Sequence, residues 1–226
     1  MRRQNGYAND LLYALLFSTW FHLLCYRNYA AAEISANELV TLADKTGALV
    51  WRDQGMIYQG CVLAMTGKAS EAVNMISSGL FERRSTGATV TVPSFLSYLA
   101  IAYAELGQFD GVWRCIDEAI ATIETTKERW FEAEAHRVAG ELALKSAEPD
   151  RAKAGRHFEK ALAVARGQQA KSWELRATTS IAHLWRSEGK TDQARKLVAS
   201  AYDWFTEGFD TRDLKEAKAL LEELSS

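Results

Sequence analysis

The sequence predicts an all-α fold, a right-handed superhelix of about five helical hairpins closed by a C-terminal capping helix. Three observations predict it. Apolar residues recur at helical spacing along nearly the whole chain, glycines punctuate them at intervals near 40 residues, and only 2 of the 226 residues are proline, which leaves little room for irregular linkers. With 48% hydrophobic and 25% charged residues, the chain is long enough to bury a substantial core.

The clearest unit is Ser97–Ala119. Leu99, Ala100 and Tyr103 share one face of a first helix, Val112, Ile116 and Ala119 share one face of a second, and Gly107 opens the turn that lets the two faces meet. A single hairpin of this size cannot bury its own faces, so copies are expected on either side. Upstream, Gly60 and Leu63 precede Gly67, followed by Ala72, Ile76 and Gly79, a displacement of 40 from the central copy. Downstream, Ile181, Ala182 and Trp185 precede Gly189, followed by Ala194, Val198 and Ala201, a displacement of 82, or two steps. Between them lie Ala139, Gly140 and Ala143, then Ala154, Phe158 and Ala161, with a longer turn at Ser146 to Asp150 and Pro149 suited to a first helical turn. The weakest copy comes first, with Trp20 and Leu23, then Ala32, Ala36 and Leu39. Hairpins are therefore expected over about 8–44, 48–81, 93–124, 127–166 and 170–206, within a single repeat domain spanning 1–226.

Three segments lie outside this pattern. Glu82 to Val92 is rich in β-branched residues and reads as an extended loop before Pro93 opens a helix. After Trp204 to Phe209, Asp210 and Thr211 are N-cap candidates for a helix over 211–224, whose stripe of Leu214, Ala217, Leu221 and Leu224 suits a cap on the last hairpin. From Leu11 to Ala43 the only charged residues are Arg27, Glu33 and Glu38, while Phe17, Trp20 and Phe21 crowd one helix. Without a polar cap ahead of it, that end reads as the continuation of a longer solenoid.

Small residues recur where paired helices must approach (Gly60, Ala100, Gly140 and Ala182, facing Ala72, Ala154 and Ala194), with bulky residues between them. This alternation resembles the tetratricopeptide repeat, although the period exceeds that repeat's roughly 34 residues. The segment YDWFTEGFDTRDLKEAKALLEEL, Tyr202 to Leu224, resembles the ending of a family of large bacterial signalling proteins. TGALVWRDQGMIYQG and AEAHRVAGELAL upstream are similar to the same region. In that family a class III adenylate or guanylate cyclase domain, or a DNA-binding domain, is fused to an ATPase domain and a long tetratricopeptide-like region. The resemblance implies a regulatory or scaffolding module in signal transduction, with any cyclase or ATPase site in upstream domains outside this chain.

Charge and motifs narrow the chemistry further. A net charge of -2 removes the general electrostatic basis for nucleic-acid binding. The basic residues between Lys145 and Arg176 are interleaved with Glu148, Asp150, Glu159 and Glu174 and read as a solvated surface. Cys25, Cys61 and Cys115 are widely spaced, which favours a reducing, cytoplasmic setting without disulfides. Arg2 and Arg3 before Leu11 to Leu24 imitate a secretory signal, but Ser18, Thr19 and His22 interrupt the run, which is also short for a membrane span. Gly189-Lys190-Thr191 imitates a phosphate-binding loop, yet Leu184 stands where its first glycine is required. His22, His136, His157 and His183 are read as lying in different hairpins, and although Glu132 and His136 share a helix face, no second histidine completes a ligand set. No metal, cofactor or catalytic residue is expected.

The expected working surface is the groove lined by the first helix of each pair. Carrying the register through places Phe17 and Phe21, then Ile57, Tyr58 and Cys61, then Ser97, Tyr98 and Ile101 in it, followed by Arg137 and Glu141 and finally His183 and Arg186. Such a groove, apolar at one end and polar at the other, suits a protein or peptide, including other domains of the same parent polypeptide, with Arg137 or Arg186 pairing a carboxylate. The alternative is a small-molecule-sensing domain using the concave cavity. The exposed apolar N-terminal hairpin also suits a homodimer.

Overall fold

The computed structural model describes residues 2–85 and 87–225, and among these it contains helices and turns but no strand. Arg2–Trp20 (α1) runs into a π-helical turn, Phe21–Cys25, and is followed by Tyr29–Thr46 (α2). Leu49–Met65 (α3) precedes Ala69–Ser85 (α4), and Val92–Glu105 (α5) precedes Phe109–Thr126 (α6). A 3-10 turn at Arg129–Phe131 leads into Glu132–Lys145 (α7) and Arg151–Gly167 (α8); Lys171–Ser187 (α9) and Thr191–Tyr202 (α10) form the fifth pair, and Arg212–Glu223 (α11) follows. The helices form five consecutive hairpins and a closing helix, the all-α repeat that the apolar spacing predicts.

The chain divides into two compact units, Met1–Cys115 and Ile116–Ser226, with the boundary inside α6. In the first, α1 packs on α2, α2 on α3 and α3 on α4, while α3 also meets α5. In the second, α7 packs on α8, α8 on α9 and α9 on α10, while α7 also meets α9 and α9 meets α11. Within each unit, α1, α3 and α7 thus contact both their own partner and the first helix of the next pair, which is how stacked hairpins bury faces that none could bury alone.

Left-handed residues mark the repeat in the backbone. Within hairpins they fall at Arg27, Gly67, Gly107 and Gly189, and between hairpins at Gly47, Gly87, Lys127, Gln169 and Gly208. Both ladders step by about 40 residues. Arg27 therefore occupies in the first hairpin the place of Gly67 in the second, and confirms the register of the copy least visible in the apolar pattern. The one rung with no left-handed residue is the turn between α7 and α8, where Asp150 caps α8 by accepting from the Lys153 N–H at 2.8 Å. Pro149 stands just outside that helix rather than in its first turn.

The small residues sit where the helices touch. A Cβ on Gly60 would lie 2.9 Å from Ile76, and one on Gly140 would lie 2.4 Å from the ring of Phe158. Ala72, Ala100, Ala154, Ala182 and Ala194 are all fully enclosed. Helix α4 runs to Ser85, beyond the expected start of the loop at Glu82, because Arg83 is engaged: its Nη1 donates to Gln54 Oε1 at 2.6 Å and its guanidinium lies over the Phe95 ring. Helix α11 covers Leu175, Val198 and Ala201 with Leu214, Ala217, Leu220 and Leu224; Leu220 faces the core and Leu221 packs at its edge.

Candidate functional site

In the first unit the predicted groove residues separate by burial. Phe17 and Phe21 stand out from α1 and the turn after it, 53% and 45% exposed. Ile57, Tyr58, Cys61, Ser97 and Tyr98 are instead buried, so the face of α3 and α5 assigned to a groove is interior packing. Tyr58 meets Phe95 edge to face at 5.3 Å, and burial pushes both its phenol and the adjoining Cys61 thiol well above their ordinary pKa values. Ser97 satisfies its hydroxyl by donating to the Pro93 carbonyl at 2.9 Å. Ile101 is half-buried. The register was displaced here because α3 and α5 pack on each other through the stripe next to the one facing their partners.

The second unit carries an ordered polar face across α7, α9 and α11. Arg137 donates to both carboxylate oxygens of Glu134, each at 2.8 Å, and reaches Glu141 at 3.4 Å. Ser180 on α9 donates to the same Glu141 oxygen at 2.6 Å. Arg176, also on α9, pairs with Asp213 of α11 at 2.6 Å, approaches Glu134 at 3.8 Å and lies 5.1 Å from the centre of the Trp173 ring. Glu134 and Arg176 are buried; along Lys145 to Arg176 the surface is solvated as expected at Glu148, Asp150 and Glu159, and the exceptions are Glu174 and Arg176 at its end, which are buried. Arg137 likewise departs from its expected role: with its side chain only 18% exposed and engaged by two glutamates, it holds the network together rather than offering a free fork to a partner. What this face presents outward is Glu141, 44% exposed at the side chain, with His183 and with Arg186, whose guanidinium is paired to Glu223.

Spacing within α9 explains the stripe. Ser180, His183 and Arg186 follow at three-residue intervals and share a side of the helix, next to the face that meets α7. Of the network, only Glu134 with Arg137 and Arg137 with Glu141 were legible as helical neighbours. Arg176, Ser180 and Asp213 find partners 37 to 42 residues away, which no local spacing announces.

The histidines also differ from expectation. His136 and His157 lie on the two helices of one hairpin, with their Nδ1 atoms 3.1 Å apart. One ring therefore donates an N–H to the other, an arrangement that fails if both nitrogens carry protons. Burial lowers the His136 pKa to about 4, helped by His157 and Lys160 and opposed by Glu132. His157 is also lowered, by burial and then by Lys153 and Arg156, against Asp117.

Among the described residues no three His, Cys, Asp or Glu side chains converge to hold a metal ion, and no helix is long and apolar enough to cross a membrane. The chain matches no protein-family model and no curated protein sequence.

Proposed function

We propose that this chain is a non-catalytic interaction module that binds a protein or peptide on the face formed by α7, α9 and α11, in the service of a regulatory role. The observation that carries the proposal is the pre-ordered Glu141. Arg137 and Ser180 hold it in place, its side chain remains open to solvent, and His183 and Arg186 continue the same stripe on α9. Groups ordered before binding lose less entropy when a partner arrives, and charges at a rim select among partners. The resemblance of Tyr202 to Leu224 to the helical region of cyclase and ATPase signalling proteins supports a setting in which the partner is another domain of a larger polypeptide.

Charge reversal tests the reading. Glu141→Lys with Arg186→Glu alters the proposed face, whereas Lys196→Glu changes an exposed charge on α10. Cross-linked partners captured by the wild-type chain should be lost by the double variant and kept by the α10 variant, with all three equally folded by circular dichroism. Capture unchanged by the double variant would rule this face out.

A further inference from the structure

The second unit also contains a cleft of about 770 Å³, within the size range of small-molecule sites. It lies apart from the face just described. Its walls come from the end of α8, the start of α9 and the segment after α10. At its base Glu174 is 7% exposed and binds two cations, Arg166 Nε at 2.9 Å and Lys171 Nζ at 2.8 Å. Burial alone would push the Glu174 carboxyl up, but hydrogen bonds from Lys171 and Arg166 outweigh it and hold the group below its ordinary range. The carboxylate is thus ionised and consumed, and the cluster retains one net positive charge.

The geometry leaves donors pointing outward. Arg166 meets Glu174 through Nε, so its two terminal nitrogens have no protein partner among the described residues. Ser172 is exposed with its hydroxyl available, and Gln169, held at φ 56° by the chain reversal after α8, adds an amide to the wall. Across from these groups Trp204 is 58% exposed, braced edge-on by Phe205 at 5.1 Å, with Lys171 Nζ 5.7 Å from its ring centre. A large indole left in water beside a forked cation offers a stacking platform and an anion site together.

We propose that this cleft binds a mononucleotide-like ligand, with an aromatic base stacked on Trp204 and a phosphate held by Arg166, Lys171 and Ser172. Several outward donors suit the three oxygens of a phosphate better than the two of a carboxylate, and the cavity accommodates base and sugar together. The binding is independent of the protein-interaction reading, since it uses none of the residues on that face.

Calorimetry on the full chain with AMP as probe tests it, with adenosine, ribose 5-phosphate and inorganic phosphate as separate titrants. AMP should bind, and each of the three fragments should bind at least about tenfold more weakly. Trp204→Ala removes an exposed platform and should weaken AMP by about tenfold or more. Ser172→Asp places a negative charge in the cleft at the first turn of α9, where an acidic residue favours the helix, and should abolish binding while leaving the fold intact. Absence of AMP binding at millimolar concentration overturns the proposal, as does AMP affinity unaffected by both variants. Phosphate binding as tightly as AMP overturns the stacking role of Trp204 and with it the ligand class.

Discussion

His136 and His157 are neutral near pH 7, and their contact depends on it. An unfolded histidine takes up its proton near pH 6.5, whereas folded His136 does so only at about 4. Between those values the unfolded chain binds protons that the folded chain refuses, so stability is fully present above about 6.5 and declines as pH falls toward 4. The shift on His136 corresponds to on the order of 3 kcal/mol over that window. The urea midpoint of the wild-type chain should fall between about pH 7 and pH 4.5, and the double variant His136→Gln with His157→Gln should show a clearly shallower decline. Equal slopes would mean that the imidazoles take up protons in the fold as readily as in the unfolded chain. Each helix alone shows one histidine on an apolar side; the pairing exists only once α7 and α8 dock.

Helices α7, α9 and α11 are joined by charges that left water to meet one another. The Arg176 and Asp213 side chains are 6% and 10% exposed, so neither carboxylate near Arg176 has solvent to fall back on. Arg176→Ala should cost on the order of 3 to 5 kcal/mol because it takes the guanidinium from the buried Asp213 carboxylate, whereas Glu134 keeps its bonds to Arg137. Arg186→Ala, which breaks an exposed pair with Glu223, should cost below about 1 kcal/mol. Chemical denaturation of the two variants side by side checks the contrast, and similar losses would show that Arg176 is not the link holding α9 to α11. The closing role of α11 was legible as a one-sided apolar stripe on an otherwise charged helix. Its ionic tie to α9 was not, because Asp213 carries no sign in sequence of facing Arg176.

At the scale of the whole chain, left-handed residues recurring every 40 or so positions follow the ends of the helices at every turn but the one between α7 and α8. Gly107 is one rung, at φ 71°, and a Cβ there would touch nothing within 4 Å, so any penalty for a side chain is purely conformational. Gly107→Ala should lower stability by about 1 kcal/mol, and Lys127→Gly, at φ 62°, should raise it by a few tenths to about 1 kcal/mol. Thermal melts of the two variants should move in opposite directions. Movement in the same direction would mean that the rungs are not equivalent. Glycine at 67, 107 and 189 made three rungs readable; arginine, lysine and glutamine at 27, 127 and 169 hid three others, because a modest strain can be absorbed by the packing around a turn.

The amino-acid sequence by itself determined the all-α class, the five hairpins with their closing helix, and the small residues at the points of closest approach. All three follow from local periodicity and the size of side chains, which act within one or two turns of helix. Tertiary structure decided which stripe of each first helix faces outward. Burial of Tyr58 and Tyr98, the Arg176 network, the His136 and His157 pair and the cleft beside Trp204 each depend on groups brought together from different helices. A difference of about 100° around a helix separates a groove residue from a core residue, and only the neighbouring helix settles on which side of that line a residue falls.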